Sequence, residues 1–271
     1  MDGTTVISPR SPGKAESAPA PDGRLARILE WPQLAALGSL LGLAALAWID
    51  LVRHGEALCM APERPWETSA LGLAFLMWAV MMVAMMLPSA APMMMIFATL
   101  QRRRSAAGEM AVPVALFVDG YVVVWTAWSA LAAAIQWALQ STLELSMELS
   151  LERASIAGAV LIIAGLYQLT PLKTLCLVHC QSPMAFLLTQ WRDGRLGALR
   201  MGIRHGTYCV GCCSALMALL FVVGVMDLAW VAALTAYVLL EKVVVWSGIS
   251  RLVGVALASV GVWLMFAELV G

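Results

Sequence analysis

The residues most able to do chemistry lie in one stretch, which holds five of the six cysteines and two of the three histidines. In chain order these residues are Cys176, His179, Cys180, His205, Cys209, Cys212 and Cys213. Thiolate sulfur is a soft ligand that selects Cu(I), or Zn²⁺ where thiolates stand alone or beside imidazoles. The stretch therefore predicts a binding site for a thiophilic metal ion.

The spacing gathers the cysteines into two clusters. Cys176 and Cys180 are four residues apart, so on a helix they share one face. Cys209 stands three and four residues before Cys212 and Cys213, so this cluster also lies on one side of a helix. Cysteine packs as a small hydrophobic residue too, and packing would explain any single one of them. Five in one stretch favour metal binding or redox chemistry.

Methionine supplies a second soft ligand, and the chain has 17 of them. Met77, Met81 and Met85 form one helical stripe, while Met82 and Met86 fall on a neighbouring face. The simpler interpretation of any one of them is adaptable packing between helices. The functional alternative is a relay of thioether sulfurs along the stripe. The methionine candidates are Met81, Met82, Met85, Met86, Met93 and Met94.

Polar residues inside apolar segments are further candidates, because charged groups at depth in a membrane are costly and usually pair inside the bundle. At the helical rise per residue, several reach a layer about 5 to 15 Å inside one end, level with the second cysteine cluster. We expect Lys173 or Lys242 to pair with Asp119 or Glu241, with Gln168 close by. The alternative for Lys242 is that it snorkels to the interface at a helix end.

His205 and His54 are interpreted separately. His205 begins a predicted span one turn before Cys209, so it is a candidate ligand, with an interfacial side chain as the alternative. His54 lies in a predicted loop with Cys59 and Met60, and these residues would form a weaker second site on the outer side. A solvated histidine is the simpler interpretation there.

The composition places the chain in a membrane. It is 61% hydrophobic and 13% charged over 271 residues, whereas soluble domains are about a quarter charged. Several apolar runs reach roughly 18 residues or more, which is typical of transmembrane helices. A net charge of zero and the lack of a long basic tract argue against nucleic acid as a partner. Cysteines at a cytoplasmic face are usually kept reduced, which disfavours structural disulfides.

We therefore predict an all-α transmembrane bundle with about seven spans, six being the alternative. The long second segment should be kinked or broken at Pro88 and Pro92, because proline removes a helical hydrogen bond. Residues Lys173 to Arg204 should form the longest interior loop. The predicted spans are Trp31–Val52, Ser69–Leu100, Ala111–Leu139, Ala154–Thr170, His205–Val225, Leu228–Val245 and Arg251–Val270.

The sequence also predicts two domains and the orientation of the chain in the membrane. Residues 1–28 are rich in Ser, Pro, Ala and Gly and should be a disordered cytoplasmic tail, and residues 29–271 should form the membrane domain. Cations concentrate in the loops on one side, which the positive-inside rule assigns to the cytoplasm. The N-terminus and both cysteine clusters are then cytoplasmic or just inside that face, and the C-terminus is outside. The cations concerned are Arg102, Arg103, Arg104, Lys173, Arg192, Arg195, Arg200, Arg204, Lys242 and Arg251.

Three motifs follow one another between about residues 70 and 265. They are the methionine-rich string Trp78 to Pro88 followed by Pro92, the string Tyr167 to Lys173 leading to Cys176 and Cys180, and Gly206-x-x-Cys209-x-Gly211-Cys212-Cys213. In this order they resemble the predicted metal-binding integral membrane proteins, a bacterial family. The resemblance implies copper-chaperone activity at the inner membrane, with copper supplied to copper oxidases. It points to the five cysteines and to residues 81–86, and His179 has no counterpart in the family pattern.

These observations lead to one principal hypothesis and two alternatives. The first is a membrane protein that binds Cu(I), with zinc as the alternative metal, and delivers it for metalloenzyme maturation. Its partners would be membrane lipid and a copper-dependent oxidase or other metalloenzyme, and no substrate bond would be made or broken. The second is a membrane thiol oxidoreductase that cycles Cys209 and Cys212, whose Cys-x-x-Cys spacing permits a bridge. The third is a structural subunit that scaffolds a membrane complex.

Overall fold

The computed structural model describes residues 31–59, 68–110, 112–142, 154–225, 227–245 and 247–270, and over these ranges the chain is helical with no strand. The helices are α1 (Trp31–Cys59), α2 (Thr68–Ala106), α3 (Val114–Thr142), α4 (Ala154–Gln168), α5 (Pro171–Gln181), α6 (Pro183–Gln190), α7 (Gly194–Met217), α8 (Leu220–Val223), α9 (Leu228–Val243) and α10 (Ser247–Val270). The predicted all-helical fold is confirmed. The predicted tail over residues 1–28 lies outside the described residues.

Five of these helices are long and apolar enough to cross a membrane. A sixth crossing arises if α4 and α5, which meet at a bend of 63°, count as one broken span. Of the seven predicted spans, the remaining one is Leu228–Val245, which corresponds to α9 and its 16 residues. A helix crossing the hydrocarbon core needs about 20 residues, so α9 is short for a full crossing. The five are Leu37–His54, Ser69–Ala106, Val114–Leu139, Gly194–Val223 and Gly248–Glu268.

The prediction that residues 173–204 form an interior loop is wrong. The chain there forms α5 and α6 and begins α7, eleven residues before His205. Pro171 and Pro183 occupy the first turns of α5 and α6, where proline costs nothing because that N–H has no helical partner. The Thr170 hydroxyl accepts from the Lys173 backbone N–H at 3.3 Å and caps α5. The first cysteine cluster therefore lies on a helix.

Helix α2 continues through Pro88 and Pro92, so of the predicted kink or break the break does not occur in this described helix. Pro88 has no N–H to donate to the Ala84 carbonyl. That carbonyl instead accepts from the indole N–H of Trp48 on α1, at 3.2 Å. The Met86 carbonyl accepts from the Ser89 hydroxyl at 2.8 Å and from the Tyr121 hydroxyl at 3.1 Å. The Trp48 side chain thus satisfies a backbone oxygen that would otherwise be costly in an apolar interior.

Helices α2 and α7 form the core. Helix α2 packs against α1, α3, α6 and α9, and α7 packs against α3, α4, α5 and α9. Glycines allow backbones to approach closely where α3 meets α7, since a Cβ on Gly120 would clash with the Leu199 carbonyl and one on Gly202 with the Phe117 carbonyl. Small residues serve this purpose in membrane bundles. The second cysteine cluster is therefore held on a helix enclosed by its neighbours.

Candidate metal centre

Three cysteine sulfurs converge in the bundle. The Sγ atoms of Cys180, Cys209 and Cys212 all lie within 4.8 Å of one another, and Cys180 Sγ is 4.0 Å from Cys212 Sγ. At a metal–sulfur distance of about 2.3 Å, the sulfurs of a trigonal site stand about 4 Å apart. The spacing therefore suits three thiolates around one soft metal ion with little movement.

The two clusters come from different helices, and their close packing brings them together. Cys180 lies on α5, whereas Cys209 and Cys212 lie three residues apart on α7. Gly211 permits the approach, because a Cβ there would lie 2.6 Å from the Cys176 sulfur. The Tyr167 hydroxyl also donates to the Gly211 carbonyl. The sequence left open whether there were one or two sites, and the structure combines members of both clusters in one.

Further sulfur donors adjoin the three. Cys213 Sγ is 4.0 Å from the thioether sulfur of Met86, which brings α2 to the site. The Cys212 and Cys213 thiols lie 3.1 and 2.8 Å from the Cys209 carbonyl, as expected for side chains bonded back along one helical turn. Cys176 and Cys213 lie outside the group of three. A bound ion would therefore have spare soft ligands within a short distance.

The sulfur of Cys209 also has two polar partners. The ammonium of Lys242 on α9 lies 3.0 Å from it, and the Tyr121 hydroxyl lies 3.1 Å from it. Lys242 is buried and donates to the Ser89 hydroxyl at 2.7 Å. A buried cation beside a thiolate makes a charge-assisted hydrogen bond and offsets the negative charge of the site. Lys242 therefore belongs to the site rather than snorkelling to the interface.

A buried ion pair borders this site. The Lys173 ammonium donates to a Glu241 carboxylate oxygen and to the side-chain oxygen of Gln168, and the lysine and glutamate are 1% and 3% exposed. The same Glu241 oxygen accepts from the hydroxyls of Tyr237 at 3.0 Å and Ser250 at 2.6 Å. This is one of the pairings expected from the sequence. Glu241 and Lys242 are adjacent on α9, so this one helix contributes a side chain to the ion pair and a side chain to the sulfur site.

Asp119 does not take the place expected for it. It is exposed on α3, and among the described residues it forms no ion pair with either lysine. The buried face of α3 is occupied instead by Phe117, Gly120 and Tyr121. The depth of a residue along a helix follows from the sequence, but its direction depends on which neighbour the helix packs against.

Within the described residues, no histidine belongs to the sulfur group. His179 stacks on the Tyr208 ring, with centroids 4.0 Å apart, and its Nδ1 lies 2.8 Å from the Leu175 carbonyl. His205 is buried among aromatic rings, including those of Tyr121 and Phe186, and its Nδ1 has no hydrogen-bond partner. His54 belongs to α1 rather than to a loop.

The proposed outer site gains no support. The His54 side chain is exposed and lies 2.9 Å from Asp50. Met60 and the side chain of Cys59 are not among the described parts of the chain, so that site stays a prediction.

The methionine candidates are all buried in the core, as adaptable packing would require. The thioether sulfur of Met86 lies 4.0 Å from the Cys213 sulfur. The others are Met81, Met82, Met85, Met93 and Met94, each at most 2% exposed. Packing accounts for this burial, and a ligand role for these five stays a prediction.

Sequence reasoning missed Tyr121 and Ser89. Both reach the site through contacts between helices that are distant in the chain, α3 with α7 and α2 with α9. The available signal was chemical: a tyrosine or serine in an apolar span needs a partner for its hydroxyl. Spacing alone does not say which partner it finds.

Comparison with known proteins agrees with this geometry. A family model described as PpoB2, copper chaperone, matches residues 75–264, which include every cysteine of the sulfur site. No curated protein and no solved structure matches the chain. The family match covers well over half of the sequence and confirms the resemblance noted from the three motifs. The chain therefore belongs to the PpoB2 copper chaperone family.

Proposed function

We propose that this protein is a membrane-embedded carrier that binds Cu(I) as cargo and delivers it for metalloenzyme maturation. The observation that carries the proposal is the group of Cys180, Cys209 and Cys212, whose sulfurs lie within 4.8 Å of one another. Sulfur ligands of this kind select Cu(I). The copper chaperone family supports the choice of copper over zinc.

Transfer would proceed by ligand exchange. Cys209 and Cys212 are buried residues and Cys180 is partly exposed. The three ligand groups themselves are buried, so an ion would reach them from the α5 side once that helix gives way. Cys213 and Met86 lie beside the group and can hold the ion while one thiolate is exchanged. Lys242 supplies a positive charge against three thiolates, whose charge exceeds that of a monovalent ion. No substrate bond is made or broken.

We further propose that the bundle lies in a bacterial inner membrane with the sulfur site near the cytoplasmic side. Five or six apolar helices support insertion, and the concentration of arginine at the C-terminal end of α2 and the N-terminal end of α7 supports the orientation. The recipient would be a copper-dependent oxidase or another metalloenzyme.

The test is the copper content of the purified protein after anaerobic loading with Cu(I). The double variant Cys180→Ser/Cys212→Ser should lose the tightly bound ion, because it keeps only Cys209 of the converging sulfurs. Cys176→Ser is the matched control, since Cys176 is on the same helix as Cys180 but outside the group of three. Undiminished copper in the double variant would rule out this site.

One observation favours a second candidate, a thiol oxidoreductase. Cys180 and Cys212 face each other across two helices with sulfurs 4.0 Å apart, and an approach of about 2 Å would form a disulfide. Two electrons and two protons would pass to an acceptor such as a quinone. The pair differs from the Cys209–Cys212 bridge expected from spacing. Thiol trapping decides: an oxidoreductase accumulates a reversible Cys180–Cys212 bridge during turnover, whereas a carrier loses its copper on oxidation.

A further inference from the structure

A cavity lies apart from the sulfur site, at the bend between α4 and α5. Its volume is about 610 Å³, within the range of roughly 300 to 1,000 Å³ that is typical of small-molecule sites. Gln168, Ser250 and Arg251 are among its polar lining residues, and Leu175 and Val178 are among its apolar ones. Neither the copper site nor the family description accounts for it.

The cavity wall holds a buried hydrogen-bond donor without an acceptor. Gln168 is 3% exposed, and its side-chain oxygen accepts from the Lys173 ammonium. A lysine ammonium can only donate, so the contact fixes which end of the amide faces Lys173. The remaining amide nitrogen of Gln168 has no hydrogen-bond partner. This nitrogen is itself buried, so an acceptor oxygen from the cavity would reach it after a small shift of the lining side chains and would then stabilise this wall.

The charge of the cavity is positive. Arg251 lines it, is exposed, and forms no salt bridge within the described residues. The nearest carboxylate in the network, Glu241, is already paired with Lys173 and bonded by Ser250. An arginine guanidinium matches phosphate with two parallel hydrogen bonds. The polar end of the cavity therefore suits a phosphate group. Among the described residues it has no unpaired carboxylate that could bind the positively charged amine of a zwitterionic headgroup.

The rest of the lining is apolar and open to the surroundings of the bundle. Leu175, Val178 and Val245 are 63%, 49% and 77% exposed. In a membrane such a surface contacts acyl chains. A free phosphate would use only the polar end, whereas an amphiphile would use both.

We propose that this cavity binds an anionic phospholipid. Its phosphate lies on Arg251, an oxygen of the headgroup or ester accepts from the Gln168 amide, and an acyl chain runs along Leu175 and Val178. Basic pockets between membrane helices recognise lipid headgroups in this way. The lipid would brace the bend that positions α5, the helix carrying Cys180.

The experiment measures lipid binding by metal-free protein in detergent, using native mass spectrometry. The probes are phosphatidylglycerol and phosphatidylcholine with identical acyl chains. Arg251→Gln should weaken phosphatidylglycerol binding by about fivefold and abolish its preference over phosphatidylcholine. Val178→Trp should weaken both lipids by filling the apolar part. Arg195→Gln removes an exposed arginine outside the cavity and should change neither.

Three results would overturn the proposal. They are equal binding of the two lipids by the unmodified protein, unchanged phosphatidylglycerol binding by Arg251→Gln, and displacement of phosphatidylglycerol by equimolar inorganic phosphate. The last would assign the cavity to a free anion. Because the protein carries no metal in this assay, its outcome is independent of the copper proposal.

Discussion

Cys209 is the residue at which the sulfur ligands meet the polar interior of the bundle. Its sulfur lies within 3.1 Å of both the Lys242 ammonium and the Tyr121 hydroxyl. Cys212 instead directs its thiol to a backbone carbonyl. A thiolate is stabilised by nearby positive charge and by donors. Cys209 is therefore the proposed ligand with the most polar surroundings.

Replacing Lys242 tests whether the cation beside Cys209 supports copper binding. Lys242→Leu removes the cation beside Cys209 and should lower Cu(I) affinity by about tenfold, because hydrogen bonds to charged groups are stronger than neutral ones. The affinity is measured by competition with a chromophoric Cu(I) chelator. Tyr121→Phe, the control, removes a neutral hydroxyl 3.1 Å from the same sulfur and should have a smaller effect. An equal or larger loss in Tyr121→Phe would contradict the role given to Lys242.

For single residues, the sequence predicted which side chains could bind a soft metal ion, but it did not predict which way a side chain points from its helix. The soft ligands could be picked out from residue type and spacing, and two of them, Cys209 and Cys212, converge with Cys180. Asp119 was misplaced because the rotation of α3 is set by packing against α7. Tyr121 could not be assigned for the same reason, since its partners lie on other helices.

Helix α2 shows how a helix with two internal prolines can remain continuous in an apolar interior. The Ala84 carbonyl loses its helical donor at Pro88 and accepts from Trp48 instead. Helix α1 therefore supplies the hydrogen-bond donor that α2 lacks at Pro88. The prolines predicted a kink or a break, and the helix is not broken. The sequence of α2 could not decide between the two, because it does not show the donors of the neighbouring helices.

A double-mutant cycle tests this compensation. Trp48→Phe should destabilise the protein by about 1 to 3 kcal/mol, the usual effect of leaving a buried polar group unpaired. Pro88→Ala restores a backbone N–H for the Ala84 carbonyl, so the same substitution in that background should cost less. Lost ring packing contributes to both backgrounds and cancels. Thermal unfolding in detergent gives the values, and equal losses in both backgrounds would contradict the account.

The helices of the first cysteine cluster were harder to predict than the long spans. Residues 173–204 contain cations and prolines, which favoured a loop, and only the four-residue spacing of Cys176 and Cys180 favoured a helix there. The prolines in fact begin helices at Pro171 and Pro183. Long apolar segments such as α3 were predictable because their length alone identifies them.

For the molecule as a whole, the Lys173–Glu241 pair ties α5 to α9 beside the metal centre. The two side chains are almost fully buried, and the network extends to α4 through Gln168 and to α10 through Ser250. A buried pair of charges is costly to break from one side only. The pair therefore holds the helix of Cys180 and the helix of Lys242 in register.

Glu241→Gln tests this connection. It leaves the Lys173 charge without its counter-charge and should destabilise the protein by about 3 to 5 kcal/mol. The double variant Lys173→Met/Glu241→Gln removes both charges and should recover much of the loss. Thermal unfolding of metal-free protein in detergent measures both. A double variant less stable than Glu241→Gln would show that the pair is not the main source of the effect.

The central claim is that sulfur atoms from α5 and α7 together hold one Cu(I). X-ray absorption spectroscopy of the copper-loaded protein tests it most directly, because it reports the atoms bound to the metal. We predict a first shell made of the three converging sulfurs, which loses sulfur in the Cys180→Ser/Cys212→Ser variant. A shell of nitrogen or oxygen atoms, or an all-sulfur shell that survives both substitutions, would contradict the account.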